Sequence, residues 1–150
     1  MTSHGVPLGN AEGKVVVGVQ DGLAAAAALR RGVAEAQQRG CGLHLVRVWR
    51  EVDRLLSLTR AELARLGESE QQNKLLLERA AWQARRLAPE LVVTAELRPG
   101  DIYQVLAQLG SHAQLVVLGV DDPGSGNDIA RWLAEHVQSP VVLVEPEPTS

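Results

Sequence analysis

The chain has no phenylalanine, one tyrosine, one methionine and one cysteine among its 150 residues. The single cysteine, Cys41, cannot form an internal disulfide, which is typical of a reducing compartment, so we expect a cytoplasmic protein. The N-terminus lacks the apolar segment of a signal peptide, and no apolar run approaches the roughly 20 residues of a membrane helix. A net charge of −3 without a basic face argues against nucleic acid as a partner.

The chain does contain enough apolar sequence for one core. Hydrophobic residues make up 45% and charged residues 22%, a composition typical of a soluble globular domain. A chain of this length is too short for two ordinary domains. We therefore predict a flexible leader over 1–13, one domain over 14–144 and an extended tail over 145–150, where prolines alternate with other residues.

Aliphatic runs alternate with helical segments along the whole domain. Apolar runs predict five strands, at 14–19, 43–49, 91–97, 115–118 and 141–144. Helical spacing predicts helices over 24–39, about 59–88, 102–109 and about 128–137. Gly40 is expected to end the first helix and Asp101 to cap the third. This alternation predicts an α/β fold, an open, mostly parallel, doubly wound sheet with helices on both faces.

Five fragments of the chain occur in a familiar order and spacing: VVVGVQDGLAAAAALRRGVAEAQQRG, LHLVRVW, RPGDIYQVL, LVVLG and HVQSPVVLV. Together they resemble the universal stress protein (UspA-like) family over nearly all of 14–144. The resemblance implies a five-stranded Rossmann-like sheet of the adenine nucleotide alpha hydrolase type, with strand order 3-2-1-4-5. It also implies a homodimer in which the last strand pairs with its symmetry mate, and a role in the stress response.

The chain departs from the nucleotide-binding members of that family at both halves of their site. In those members an Asp at the end of the first strand meets the adenosine, and a G-x2-G-x9-G-S/T pattern after the fourth strand wraps the phosphates. Here Gln20 stands at the acidic position and Asp21 follows one residue late. Of the glycine pattern Gly119 alone matches, because the second glycine is replaced by another residue and the loop is several residues too short.

The predicted corner after the fourth strand also carries negative charge, which would repel a phosphate. The carboxyl ends of strands 1 and 4 meet in the crevice of such a sheet, so Asp21 is expected beside Asp121 and Asp122. A carboxylate about 6 Å from a phosphate charge costs on the order of 3 kcal/mol at an effective dielectric near 20. We therefore expect ATP binding to be weak or lost, with no cofactor and a non-enzymatic binding or scaffold function.

Three interpretations of this corner stay open. In the first, the acids are turn formers, and Asn127 or Asp128 is a helix N-cap. In the second, an ATP or AMP site is retained, formed by Val19, Gln20, Asp21, Val48, Gly119, Gly124, Gly126, Asn127 and Asp128. In the third, Asp21, Asp121 and Asp122 hold Mg²⁺, which recruits the nucleotide. Trp49 is a further candidate, because its ring could fill the adenine pocket.

Catalytic and metal-ligand motifs are missing elsewhere in the sequence. No nucleophile elbow or complete P-loop is present, so a slow nucleotide hydrolase is the rival from the enzyme class and has no evident base or nucleophile. The histidines show no ligand spacing and are expected at the surface or as caps.

The fifth strand is the predicted partner surface. Val141, Val142, Leu143 and Val144 form a short uncharged run, and natural proteins seldom leave such an edge unpaired. Antiparallel pairing of two such edges about a two-fold axis closes a homodimer. The alternative is that the tail covers the edge.

Overall fold

The computed structural model describes residues 11–49, 70–121 and 123–147, and for 123–127 the backbone alone. In chain order these residues form β1 (Val15–Gly18), α1 (Ala25–Arg39), β2 (Leu43–Trp49), α2 (Glu70–Leu87), β3 (Val93–Pro99), α3 (Ile102–Leu109), β4 (Leu115–Gly119), α4 (Pro123–His136) and β5 (Val141–Val144). The strands form one sheet in the order β3-β2-β1-β4-β5, and every neighbouring pair is parallel. The predicted fold class and strand order are confirmed.

Two apolar clusters lie on opposite faces of the sheet. On one face α1 and α2 pack against Val15 and Val17 of β1. On the other face α3 and α4 pack against Val16 of the same strand. All of β1 is buried, which explains its continuous aliphatic sequence. Among the helices in the described ranges, none has both the length and the apolar character needed to cross a bilayer.

Helix α4 begins at Pro123, five residues before the predicted start. Proline suits the first position of a helix, because its fixed φ is helical and its missing N–H would have had no partner there. Asn127 and Asp128 are consequently the fifth and sixth residues of α4, and the prediction that either one caps the helix is wrong. Gly124 and Gly126 lie in the first turn of this helix rather than in a loop.

The other boundaries lie close to the predicted ones. Gly40 ends α1 in the left-handed conformation, and Asp101 caps α3 by accepting hydrogen bonds from two backbone N–H groups. β3 starts and ends two residues later than predicted and includes Pro99, which an edge strand tolerates. The predicted helical stretch before residue 70 lies outside the described residues.

The two predicted terminal segments lie only in part within the described ranges. Residues 1–10 of the leader and 148–150 of the tail fall outside them. At the end of the leader Ala11 is buried, and the Gly13 N–H donates a hydrogen bond to the His112 carbonyl. Residues 11–13 therefore contact the domain.

His44 is fully buried in β2, which corrects the expectation that it lies at the surface. Its Nδ1 lies 2.7 Å from the Thr94 hydroxyl oxygen, and its Nε2 lies 3.1 Å from a carboxylate oxygen of Glu96. Both partners belong to β3, the neighbouring strand. These hydrogen bonds satisfy a polar ring that burial would otherwise destabilise.

Gly32 brings α1 into close contact with β1. A Cβ atom at this position would lie 2.3 Å from Cγ2 of Val17, a buried β-branched side chain that cannot turn aside. We expect Gly32→Ala to lower the free energy of unfolding by about 1–3 kcal/mol, because overpacking outweighs the gain of about 1 kcal/mol in helix propensity. Urea denaturation followed by circular dichroism measures the change.

The matched control is Ala34→Ser, which adds one heavy atom to the exposed side of the same helix. This control should change the free energy of unfolding by no more than about 0.5 kcal/mol. A Gly32→Ala variant as stable as the wild type would contradict the close packing of α1 on β1.

Candidate functional site

The carboxyl ends of β1 and β4 border a crevice of about 280 Å³. Its position is the switch point of the sheet, where the strand order reverses and where ligands of this fold class bind. The described residues that line it are Val19, Gln20, Asp21, Gly22, Arg47, Val48, Ile102 and Asp121. Five of them are among the side chains that the sequence analysis assigned to a nucleotide or metal site: Val19, Gln20, Asp21, Val48 and Asp121.

The remaining candidates lie on or before α4. Asp128 is exposed on this helix and is not a lining residue. Gly124, Gly126 and Asn127 are described as helical backbone alone, and Asp122 falls outside the described residues. Gly119 ends β4 and contacts the crevice through the side chain of Gln20.

Two hydrogen bonds cross between the ends of β1 and β4. The Gln20 side-chain oxygen, which follows β1, accepts from the Gly119 N–H at 3.1 Å. The Asp121 carboxylate, which follows β4, accepts from the Ala24 N–H at 2.7 Å. Ala24 directly precedes α1, so this donor lies at the helix N-terminus where an anion would be attracted. We call this pair the crossed hydrogen bonds, and each of them occupies a backbone donor with a side chain of the chain itself.

Two glycines allow this close approach. A Cβ on Gly22 would lie 1.8 Å from a carboxylate oxygen of Asp121, and a Cβ on Gly119 would lie 2.9 Å from the Ala24 Cβ. Gly119 therefore needs to be glycine for packing within the chain alone, whereas a Cβ on Gly22 would meet only the end of the exposed Asp121 side chain. Gly119 is the glycine that best matches the nucleotide-binding pattern, and its close packing against Ala24 explains why glycine occurs there without any phosphate.

Three lining residues were not assigned to a site from the sequence, namely Gly22, Arg47 and Ile102, and Arg47 is the charged one. Its Nε donates to the Asn73 side chain at 2.7 Å, and its Nη1 donates to the Val19 carbonyl at 3.1 Å. Its Nη2 lies 3.8 Å from the Asp21 carboxylate, and the arginine side chain is only 9% exposed. The signal in the sequence was an arginine within an aliphatic strand, which needs partners if both faces of that strand are buried.

The charges of the lining residues sum to a negative value. Asp21 and Asp121 contribute two carboxylates, and Arg47 contributes one guanidinium that is held by Asn73 and Val19. Across the described ranges, no group of three or more His, Cys, Asp or Glu side chains is arranged to hold a metal ion. The magnesium site of the sequence analysis remains a prediction, since one of its three ligands, Asp122, is not described.

Trp49 does not fill the crevice. Side chains alternate along a strand, so Trp49 points to the face opposite Val48, and only Val48 lines the crevice. The described lining of the crevice therefore gives no support to the hypothesis that an indole ring fills the adenine pocket.

The universal stress protein family model matches residues 13–145 of the chain. A comparison with curated protein sequences finds no match. Among solved structures, a universal stress protein in complex with cAMP is similar with a TM-score of 0.66 at 17% identity, over 92% of this chain and 100% of that one.

Two further structures have the same fold. The universal stress protein from Archaeoglobus fulgidus in complex with dAMP aligns with a TM-score of 0.64 at 17% identity, over 89% of this chain and 98% of that one. A universal stress protein family member from Burkholderia pseudomallei aligns with a TM-score of 0.65 at 20% identity, over 93% and 99%. With a family model that covers nearly the whole domain and a fold shared with these structures, the chain belongs to the universal stress protein family.

Proposed function

We propose that this universal stress protein is a non-enzymatic, homodimeric binding or scaffold module whose nucleotide site has become degenerate. Two similar structures hold cAMP and dAMP, so the family fold can bind adenine nucleotides. In this chain the crossed hydrogen bonds carry the proposal. A phosphate at the switch point would have to displace the Gln20 and Asp121 side chains from the backbone donors they occupy.

The short connection between β4 and α4 also disfavours phosphate. Only residues 120–122 separate Gly119 from Pro123, and the first helical residue lacks an N–H. The glycines that could have formed a phosphate loop lie within α4 instead. A connection of this length has no room for a segment that wraps a triphosphate.

The charges of the crevice also disfavour phosphate. Asp121 is exposed at the mouth of the crevice, and its carboxylate lies at the α1 N-terminus that would otherwise attract an anion. Asp21 offsets the charge of Arg47, which is the cation of the described lining. A nucleotide phosphate would thus meet a site that is negative overall.

The lining also supports a non-enzymatic role. The described residues of the crevice include no Ser, Cys, Lys or His, and its two carboxylates, which are the remaining candidates for a base, contact Arg47 and the Ala24 N–H. The polar groups of Gln20, Arg47 and Asp121 hold the backbone of the crevice. Side chains held in this way position structure rather than transfer protons.

The proposed homodimer forms through β5. This strand lies at one end of the strand order, and its four residues are half-buried and uncharged. The carbonyls of Pro140 and Val144 accept hydrogen bonds from the β4 side, which leaves the alternate peptide groups directed outward. A second copy of β5, paired antiparallel, would satisfy those groups.

A metal-assisted ATP or AMP site is the second candidate. Asp21 and Asp121 both line the crevice, and Mg²⁺ is commonly held by one or two carboxylates together with phosphate oxygens. The two candidate functions predict opposite effects of the Asp121 charge on ATP binding. The charge of Asp121 repels ATP in the first and recruits Mg²⁺–ATP in the second.

We expect the wild-type chain to bind ATP with a Kd weaker than about 1 mM, which corresponds to less than about 4 kcal/mol of binding free energy. The backbone donors are occupied and the crevice is negative, so adding Mg²⁺ should not strengthen binding. Isothermal titration calorimetry, with NMR titration for weak binding, measures the Kd. A micromolar Kd in either buffer would overturn the degenerate site.

Asp121→Asn should strengthen ATP binding about fivefold, since an exposed charge contributes up to about 1 kcal/mol. Asparagine keeps a side-chain oxygen for the Ala24 N–H, so the loop should hold its conformation. Glu78→Gln, which removes an exposed charge on α2, is the matched control and should leave the Kd unchanged. If Asp121→Asn instead abolishes a magnesium-dependent affinity, the metal-assisted site is the correct one.

Light scattering of the wild-type chain should give twice the 16.1 kDa mass of one chain. Val142→Lys should shift the population to monomer, because a charge would enter the paired edge. The control is Val92→Lys, at a position that is 63% exposed beside the opposite edge strand β3. It should leave the dimer intact, and circular dichroism verifies that both variants fold. A monomeric wild type, or a folded Val142→Lys dimer, would refute pairing through β5.

A further inference from the structure

A groove runs between α1 and α2 on the face of the sheet that these two helices cover. It has two adjoining parts of about 250 and 230 Å³, which share Ala26, Leu29 and Gln83. The alanine and leucine form an apolar floor. The smaller part adjoins the crevice, with which it shares Val19, Gln20 and Gly22, but no described aspartate or glutamate lines either part of the groove.

Large apolar side chains remain exposed along this groove. Trp82 is 57% exposed and Leu87 is 51% exposed, and both line the same part of the groove. Exposed apolar residues that cluster beside a concave surface are typical of an interaction site. Tryptophan and arginine are also the residues that contribute most often to the energetic centre of protein interfaces.

Three arginines border the groove. Arg30 and Arg86 line the part that contains Trp82, and Arg79 lines the adjoining part. The Arg86 guanidinium lies 4.8 Å from the centre of the Trp82 ring, which places a cation on the aromatic face. Within the part of the chain that the structure describes, no carboxylate pairs with Arg79 or Arg86, so their charges face outward unneutralised.

One acidic segment already reaches this border. Glu147 of the C-terminal tail pairs with Arg30, and the Arg30 Nε to carboxylate distance is 3.0 Å. Both side chains are about half exposed, so this pair contributes little stability to the fold. The contact shows the kind of group that the border accepts, a carboxylate on a segment outside the helices and strands.

We propose that the groove between α1 and α2 binds an acidic, extended segment of a partner protein, with an apolar side chain seated between Trp82 and Leu29. Its carboxylates pair with Arg79 and Arg86, since arginine forks match carboxylate geometry. The tail competes at the edge of the groove by holding Arg30. Nucleic acid is disfavoured as the ligand, because an apolar floor cannot donate hydrogen bonds to phosphates and because the chain carries a net charge of −3.

The proposal is tested by selecting peptides from a random twelve-residue display library on the full chain. We expect acidic sequences with at least one large apolar residue to be enriched. For the strongest peptide, Trp82→Ala should weaken binding about tenfold. The double substitution Arg79→Gln and Arg86→Gln should weaken it at least about fivefold. Glu147→Gln should strengthen binding about twofold by releasing Arg30.

Two matched controls separate this site from general charge attraction. Arg131→Gln removes an exposed arginine of α4, on the other face of the sheet, and should leave the affinity unchanged. A peptide in which Gln replaces each acidic residue should lose most of its binding. A selection that enriches no acidic sequences overturns the proposal. So does enrichment of peptides whose binding survives Trp82→Ala and the double arginine substitution.

Discussion

The crossed hydrogen bonds between the ends of β1 and β4 are the contacts on which the geometry of the crevice depends. Gln20 occupies the Gly119 N–H, and Asp121 occupies the Ala24 N–H at the start of α1. In a doubly wound fold these are the kinds of donors that usually meet an anionic ligand. Here the chain satisfies both donors itself, and the two contacts join the segments that follow β1 and β4.

Arg47 of β2 connects the crevice to the rest of the fold. Arg47 joins three parts of the fold, because it contacts the Val19 carbonyl after β1, Asn73 on α2 and the Asp21 carboxylate. A buried guanidinium is tolerated only when such partners satisfy it. The base of the crevice is therefore connected to α2, the helix that also forms one wall of the arginine-bordered groove.

The sequence predicted the sheet well, because apolar runs such as 43–49 and 141–144 are strands with clear ends. It predicted the crevice from strand order, and it placed Asp21 and Asp121 there correctly. The start of α4 was missed because the residues after Asp122 are turn formers in isolation, while Pro123 begins a helix. The partners of Gln20 and Asp121 lie 99 and 97 residues away, and the sequence pattern gives no sign of such contacts.

The brevity of the connection from Gly119 to Pro123 limits how this protein can change over evolution. A single nucleotide change can alter the charge of an aspartate, but it cannot lengthen a backbone. Addition of a phosphate-wrapping segment at this corner would require an insertion together with unwinding of the first turn of α4. Substitutions on the exposed faces of the helices need no such insertion, so changes of sequence are more readily accommodated there than at this connection.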